Sequence, residues 1–325
     1  MTAAPPRPPL AITGLGVVCG LGEGREAWTR AWREGRTGLG WLTLVPPAAG
    51  PGGNACEYAS EAPAGWDWRE AFRSRQAYAD RASALAVAAA RGAMGDAGWK
   101  VPLPAGGPAA GLSMGTLYGA VASAGAFHGP VGRGGGKTAS ALVFSHSYPN
   151  SPAALCCIEL GLRGHSAVFA GTRDAGLRAL LHAAGALARG GRAGITRLLA
   201  GAADALSGPV VAHLAAAAGA GPWPGGGGDP PDRVDGVPPA EAARWAEAPG
   251  EAGVFFALET AASARERGAR ALAWWNEPLA REAARRASAI AWRLGDCGAA
   301  TPLLALAALL LAGEEAPGAG GGGSA

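Results

Sequence analysis

The sequence is short of the residue types that mark membrane proteins and many catalytic sites. Aromatic residues make up 6% of its 325 residues, and all five histidines precede residue 214. No apolar run reaches the roughly 20 residues that a membrane-spanning helix needs. The strongest candidate, "AATPLLALAALLLA", is too short and carries Pro302. These shortages argue against a membrane protein and predict a core built mainly from Ala, Leu and Val.

Paired or clustered cysteines are also lacking. The five cysteines contain no C-x-x-C pair, and vicinal thiols such as Cys156 and Cys157 seldom bridge to each other. We therefore expect free, buried thiols in a reducing, cytoplasmic protein that holds no metal. Runs of Lys and Arg are lacking as well, and a net charge of +3 without such a run argues against nucleic-acid binding.

Glycine and proline, in contrast, are abundant and unevenly placed. Many of the 54 glycines and 25 prolines fall in the first ten residues, at about 45–65, in 219–238 and in the tail 316–325, where we expect loops and a disordered end. Elsewhere strands alternate with helices, which predicts an α/β fold around a largely buried sheet. The runs "SAVFAG" and "GVFFALE" are apolar on both faces, as buried strands are, and "REAARRASAIAW" predicts a helix followed by a strand.

A glycine-rich strand near the start raises the question of a dinucleotide cofactor. Gly14, Gly16 and Gly20 are spaced G-x-G-x-x-x-G, and Cys19 stands where the dinucleotide fingerprint needs its third glycine. We therefore interpret these glycines as positions where a strand packs closely and turns, and we predict no cofactor.

The stretch "VFAGTRDAGLRALL" predicts a strand that turns directly into a helix. Such a turn aims a side chain at the helix N-terminus, where the dipole lowers the pKa of a thiol and stabilises an oxyanion. Arg173 takes that position, and a guanidinium cannot attack a carbonyl. We expect Asp174 to cap the helix and to pair with Arg173. The spacing alone indicates an ordinary helix start with an exposed arginine.

Four segments, in order along the chain, resemble the β-ketoacyl synthase family of the thiolase fold. They are "LAITGLGVVCGLGEGREAWTRAWREGRTGL", the block around "HSAVFAGTRDAGLRALL", "PGEAGVFFALETAASARERGARALA" and "LGDCGAATPLLALAALLLA". The resemblance implies a thiolase-like α/β fold of αβαβα layers, with mixed buried sheets and an abbreviated C-terminal half. It divides the chain into an N-terminal half (1–218), a Gly/Pro-rich loop (219–238), a shortened C-terminal half (239–315) and the tail (316–325).

The departures from the family pattern concern its catalytic residues. Aligned on the glycine of "DAG", the family's nucleophilic cysteine falls at Arg173, and the chain has neither of the two downstream histidines. The resemblance therefore implies a catalytically inactive subunit, the chain length factor of a type II polyketide synthase. It also implies a heterodimer with an active ketosynthase, to which an acyl carrier protein would deliver the acyl substrate. The shortened form is more similar to partners in polyene-making systems than to those in aromatic ones.

The resemblance also assigns residues to two surfaces. The partner's strand would pair with "SAVFAG", which gives the interface candidates Ser166, Val168, Phe169, Arg173 and Asp174. An acyl tunnel would be walled by Tyr118, Val121, Ala122, Phe127 and Phe144.

Two alternatives stay open. A ketosynthase-fold acyltransferase would use a nucleophile other than cysteine, from Ser166, Thr172 or Asp174, with His182 nearby in sequence. A scaffold subunit with a vestigial tunnel would pair with a ketosynthase without affecting product length.

Overall fold

Seven strands form one mixed sheet, which is the frame of the molecule. The computed structural model describes residues 9–46, 56–73, 79–105, 110–189, 194–217, 230–238, 242 and 245–314. The strands are β1 (Leu10–Cys19), β2 (Gly22–Glu23), β3 (Gly40–Trp41), β4 (Tyr58–Ala59), β5 (Ala110–Thr116), β6 (Ser166–Ala170), β7 (Arg197–Asp204), β8 (Ala252–Thr260) and β9 (Ala273–Trp274). The helices are α1 (Arg25–Arg33), α2 (Arg81–Asp96), α3 (Val121–Gly134), α4 (Ala141–Ser145), α5 (Ser151–Leu160), α6 (Ala175–Ala188), α7 (Gly208–Ala217), α8 (Ala261–Glu266), α9 (Glu277–Leu294) and α10 (Thr301–Glu314).

The order and directions of the strands bring the C-terminal ends of four strands to the same edge of the sheet. The sheet runs β2-β1-β8-β7-β5-β6, with β9 also paired to β1, while β3 and β4 form a separate two-stranded sheet. Strands β5, β6 and β7 are parallel, and β8 is antiparallel to both β1 and β7. Strands β1, β5, β6 and β7 therefore end at one edge, which we call the C-terminal edge. This is the edge at which open α/β sheets usually bind ligands.

Helices cover both faces of the sheet. On one face α2 and α5 share a core with β5 and β8 that includes Leu85, Leu112, Leu160 and Phe255. On the other face α6, α9 and α10 pack against the sheet. Helix α10 is apolar on all sides because it is enclosed, and its residues 303–307 are fully buried.

The glycines of β1 allow α2 to lie unusually close to the sheet. A Cβ on Gly14 would overlap the backbone oxygen of Ala93, and a Cβ on Gly16 would overlap that of Ala89. Both glycines lie inside β1, two strand positions apart, so they share one face. This confirms their interpretation as packing positions.

The structure corrects the sequence prediction for "REAARRASAIAW". Residues 277–294 form α9 as one helix, rather than a helix followed by a strand. The side chain of Asn276 caps it by accepting a hydrogen bond of 2.8 Å from the backbone N–H of Leu279. Within it, Ile290 and Leu294 are buried at i, i+4 spacing. The apolar residues at its end continue a helical face and do not start a strand.

The mixed α/β fold and its thiolase-like sheet agree with the expectation. Strand β8 lies between β1 and β7, so residues 252–260 complete the sheet formed by the first half of the chain. Among the described residues, the second sheet is the two-residue pair of β3 and β4. The domain boundaries stay predictions. The tail 316–325, the first eight residues and much of 219–238 lie outside the described residues. In the described part of the chain, no helix combines the length and apolarity needed to cross a bilayer.

Candidate functional site at the C-terminal edge of the sheet

The turn between β6 and α6 holds Arg173 at the C-terminal edge. Gly171, with φ 90°, makes the turn possible, and its N–H donates to Thr116 O at 3.0 Å. The guanidinium of Arg173 forms an ion pair with Asp296, in the turn after α9. The expected partner was Asp174, and that prediction is wrong. Asp174 accepts from Arg178 Nε at 2.8 Å, and its side chain makes no cap to α6.

The buried carboxylate of Asp204 connects the segments that form this site. Asp204, at the end of β7, accepts hydrogen bonds from the backbone N–H groups of Leu117, Tyr118 and Ala299 and from the hydroxyl of Thr116. These bonds join the ends of β5 and β7 to the turn before α10. Burial raises the pKa of Asp204, although the hydrogen bonds from these groups oppose that rise.

The same carboxylate fixes the shape of the turn before α10. Gly298 has φ 59°, and a Cβ there would collide with the Asp204 carboxylate. Asp296 Oδ1 accepts from Gly298 N at 3.1 Å. Asp204 and Asp296 therefore hold one turn from two sides, and this turn presents Asp296 to Arg173.

Tyr118 also belongs to this site. Burial raises the pKa of its phenol, the positive charge of Arg173 opposes that rise, and Asp204 adds to it. The phenol is therefore neutral at physiological pH and close enough to sense both charges. Its side chain packs against an apolar cluster that includes Leu206 and, in α7, Val210.

The described residues divide the tunnel candidates into two groups. Tyr118 and Val121 pack toward α7. Phe127 instead contacts Phe144, with 5.2 Å between ring centroids. Phe144 in turn contacts Tyr148 at 5.1 Å, which the sequence did not single out. Ala122 is half-buried on the first turn of α3. The assignment of these five residues to an acyl tunnel stays a prediction.

The interface candidates lie along an open edge. Among the described strands, β6 pairs with β5 alone, so its outer side has no partner strand. Ser166 is exposed, whereas Val168 and Phe169 are half-buried and pack toward the cores on opposite faces of the sheet. Their roles stay predictions.

Sequence patterns missed an apolar surface close to this edge. Ile158 of α5 is 68% exposed, and its neighbour Cys157 reaches Ser166, with 4.0 Å from Sγ to Oγ. The signal in the sequence is weak, because an apolar residue on a short helix is usually buried.

The candidates for an acyltransferase do not come together. Thr172 and Asp174 lie in the turn, whereas His182 lies two helical turns further along α6, roughly 10 Å from its start. His182 Nδ1 instead lies 3.3 Å from the hydroxyl of Ser113, and its ring stacks on His165.

The fold has relatives among solved structures. One is described as the ishigamide ketosynthase/chain length factor (TM-score 0.62, 23% identity, covering 83% of this chain and 62% of that chain). A second is a type II PKS acyl-carrier protein in complex with its ketosynthase bound to the hexaketide (TM-score 0.60, 20% identity, 83% and 62%). A third is a beta-ketoacyl synthase from Burkholderia phymatum (TM-score 0.61, 20% identity, 89% and 70%).

These likenesses establish the fold, and the sequence match establishes the family. The chain spans 62% of the length of the first two solved relatives. No curated protein sequence matches it. Residues 7–222, about two thirds of the chain, match the family described as beta-ketoacyl synthase, N-terminal domain. The chain therefore belongs to the β-ketoacyl synthase family.

Proposed function

We propose that this protein is a non-catalytic subunit that pairs with an active ketosynthase and limits the length of the chain it makes, as a chain length factor. The observation that carries the proposal is the ion pair of Arg173 with Asp296 in the turn where the family places its nucleophile. The turn and the helix after it are present, while a guanidinium stands where the family has its reactive group.

The chemistry of the turn supports an inactive subunit. A guanidinium stays protonated in proteins and has no lone pair for attack on a thioester. At the helix N-terminus it would meet an unfavourable dipole, which Asp296 offsets. The sequence has no histidine after His213, whereas the family's two catalytic histidines lie further downstream. Decarboxylation and condensation would then take place in the partner, to which an acyl carrier protein delivers its substrate.

The open edge of β6 supports pairing with a related subunit. An exposed strand edge presents unpaired N–H and C=O groups, which another strand can satisfy. The exposed side chain of Ile158, next to Cys157 that contacts Ser166 of β6, adds apolar area near that edge. The partner that fits is a ketosynthase whose equivalent strand adds to β6. In this proposal the complex acts in the cytoplasm.

In this proposal the subunit acts by steric exclusion. Helix α3 begins beside the site and carries Ala122 at its start and Phe127 one turn later. Small side chains there leave room for a growing acyl chain, whereas bulky ones stop it, because overpacking by even one methylene costs roughly 1–3 kcal/mol. Polyene synthesis is the pathway type that the shortened chain favours.

The experiment is co-expression with the ketosynthase of the same gene cluster. We expect a one-to-one complex that survives size-exclusion chromatography. The substitution Ile158→Asp, which places a charge beside β6, should weaken the complex at least tenfold. Trp274→Asp is the matched control, because Trp274 is 53% exposed on β9 at the opposite end of the sheet. Equal effects of the two substitutions, or no complex with the unaltered chain, would contradict the proposal.

A further inference from the structure

A pocket lies at the edge of the sheet opposite Arg173. It has a volume of about 470 Å³ and is lined by His165, His182, Ala186, Leu187, Arg189, Ile195 and Leu198. His165 directly precedes β6, and Ile195 lies just before β7, so the pocket sits where the parallel strands begin. It is therefore separate from the turn that holds Arg173 and from the tunnel candidates on α3.

One polar atom beside this pocket has no partner. His165 Nε2 is buried and makes no hydrogen bond within the described part of the chain. The His165 ring stacks on that of His182, with 5.0 Å between centroids. A buried nitrogen without a partner is costly. Because the His165 ring lines the pocket, a rotation of this ring on binding would bring Nε2 to a ligand oxygen.

The charges around the pocket favour an anion. Arg189 lines the pocket and pairs with no carboxylate among the described residues, and none of the lining residues is acidic. His182 Nδ1 lies 3.3 Å from the hydroxyl of Ser113. When this hydroxyl donates to Nδ1, the proton of the neutral imidazole lies on Nε2, which is then a donor. The C-terminal dipole of α6 opposes an anion, and Arg189 at that end of the helix offsets it.

The remaining walls are apolar. Ala186 and Leu187 on α6 face Ile195 and Leu198 across the pocket. An inorganic anion would leave this surface uncovered, whereas a ligand with a hydrocarbon tail would bury it. A few convergent polar groups on otherwise apolar walls are the usual composition of a small-molecule site.

We propose that this pocket binds a medium-chain carboxylate, with its carboxylate at His165, His182 and Arg189 and its tail against Ala186, Leu187, Ile195 and Leu198. This proposal does not rest on the proposed chain length function. The pocket is formed by residues of this chain alone and lies at the edge of the sheet opposite the Arg173 turn.

The test is calorimetric titration of the full chain, or of its complex where it purifies only with a partner, with octanoate. We expect saturable one-to-one binding. Arg189→Gln and His165→Gln should each weaken it at least tenfold, while Arg270→Gln, an exposed arginine that does not line the pocket, should leave it within twofold. Octylamine has the same tail with the opposite charge and should not bind.

A second readout follows the imidazoles by NMR. Burial, then the charges of His165 and Arg189, lower the pKa of His182 in the empty pocket. A bound carboxylate facing these groups should raise it, and affinity should increase as pH falls toward 6. Equal binding of octylamine, or full binding by both pocket variants, would overturn the proposal. So would an unchanged His182 titration in saturating octanoate.

Discussion

The guanidinium of Arg173 lies against the carboxylate of Asp296, and this pair ties the turn before α6 to the turn after α9. Arg173 is 60% exposed, so the pair adds at most about 1 kcal/mol to stability. Its main effect is on charge, because it neutralises a cation placed at the positive end of a helix dipole. Neither member of this pair is a nucleophile, so the start of α6 carries a balanced pair of charges and no attacking group.

Under the proposed function, replacing Arg173 by cysteine should introduce a reactive thiol but no condensing activity. A thiol at the start of α6 should ionise readily and react with iodoacetamide faster than any native cysteine. Burial raises the pKa of Cys19 and of Cys56 to about 12, and it raises that of the half-buried Cys157 as well. Mass spectrometry should locate the label at position 173.

The same variant should form no condensation product with malonyl-loaded acyl carrier protein, because the two histidines of the family are missing. Arg173→Ser gives a matched variant of similar size without the thiol. Product formed by the cysteine variant alone would contradict the assignment of catalysis to a partner.

Enlarging Ala122 should shorten the product of the proposed heterodimer. Phenylalanine at the start of α3 would fill space for the acyl chain, and we expect the main product to lose at least one extension unit. Ala126→Phe is the control, since Ala126 is exposed on the same helix. Mass spectrometry of the extracted products measures the change. If both variants give products of the same length as the unaltered heterodimer, the result would favour a scaffold subunit with a vestigial tunnel.

Removal of Arg81 should strongly destabilise the chain. Glu251 is fully buried and accepts from Arg81 Nε at 2.9 Å and Nη2 at 2.7 Å. Arg81→Ala leaves that carboxylate without its cation, which costs about 3–5 kcal/mol. Urea unfolding measures the loss. Arg285→Ala, in an exposed pair with Glu282, should cost less than about 1 kcal/mol. Similar losses for both would mean that Arg81 contributes only as a surface charge.

The carboxylate of Glu259 should make stability depend on pH. Burial alone would raise its pKa, but hydrogen bonds from Arg267, Thr13 and Trp99 outweigh burial and lower the pKa below its ordinary value of 4.5. The unfolded chain therefore binds this proton more readily than the folded one. The stabilisation is present above about pH 4.5 and disappears as pH falls through the lower native value.

Glu259→Gln should flatten this part of the pH profile of urea unfolding. Glu26→Gln is the control, because Glu26 is exposed on α1 and lies far from Glu259 in sequence. A profile that keeps its full acid slope in Glu259→Gln would show that other carboxylates cause it.

The sequence could predict the parts of this fold that rest on local patterns. Local sequence patterns of a few residues predict three elements: the Ala-rich helix α2, the apolar strand β8 and the glycine turn before α6. The ion pair of Arg173 with Asp296 could not be predicted, because its partners lie far apart in sequence and each has a nearer opposite charge. The stacking of His165 on His182 also depends on tertiary structure, because it needs α6 to lie beneath the start of β6.

The open side of β6 has a consequence for the handling of this protein. An unprotected strand edge is a template for any other extended segment, including a copy of itself, and so promotes aggregation. Chain made in excess of the proposed ketosynthase partner should self-associate into insoluble material. Balanced synthesis of the chain and that proposed partner, for example from one messenger RNA, would therefore keep it folded and usable.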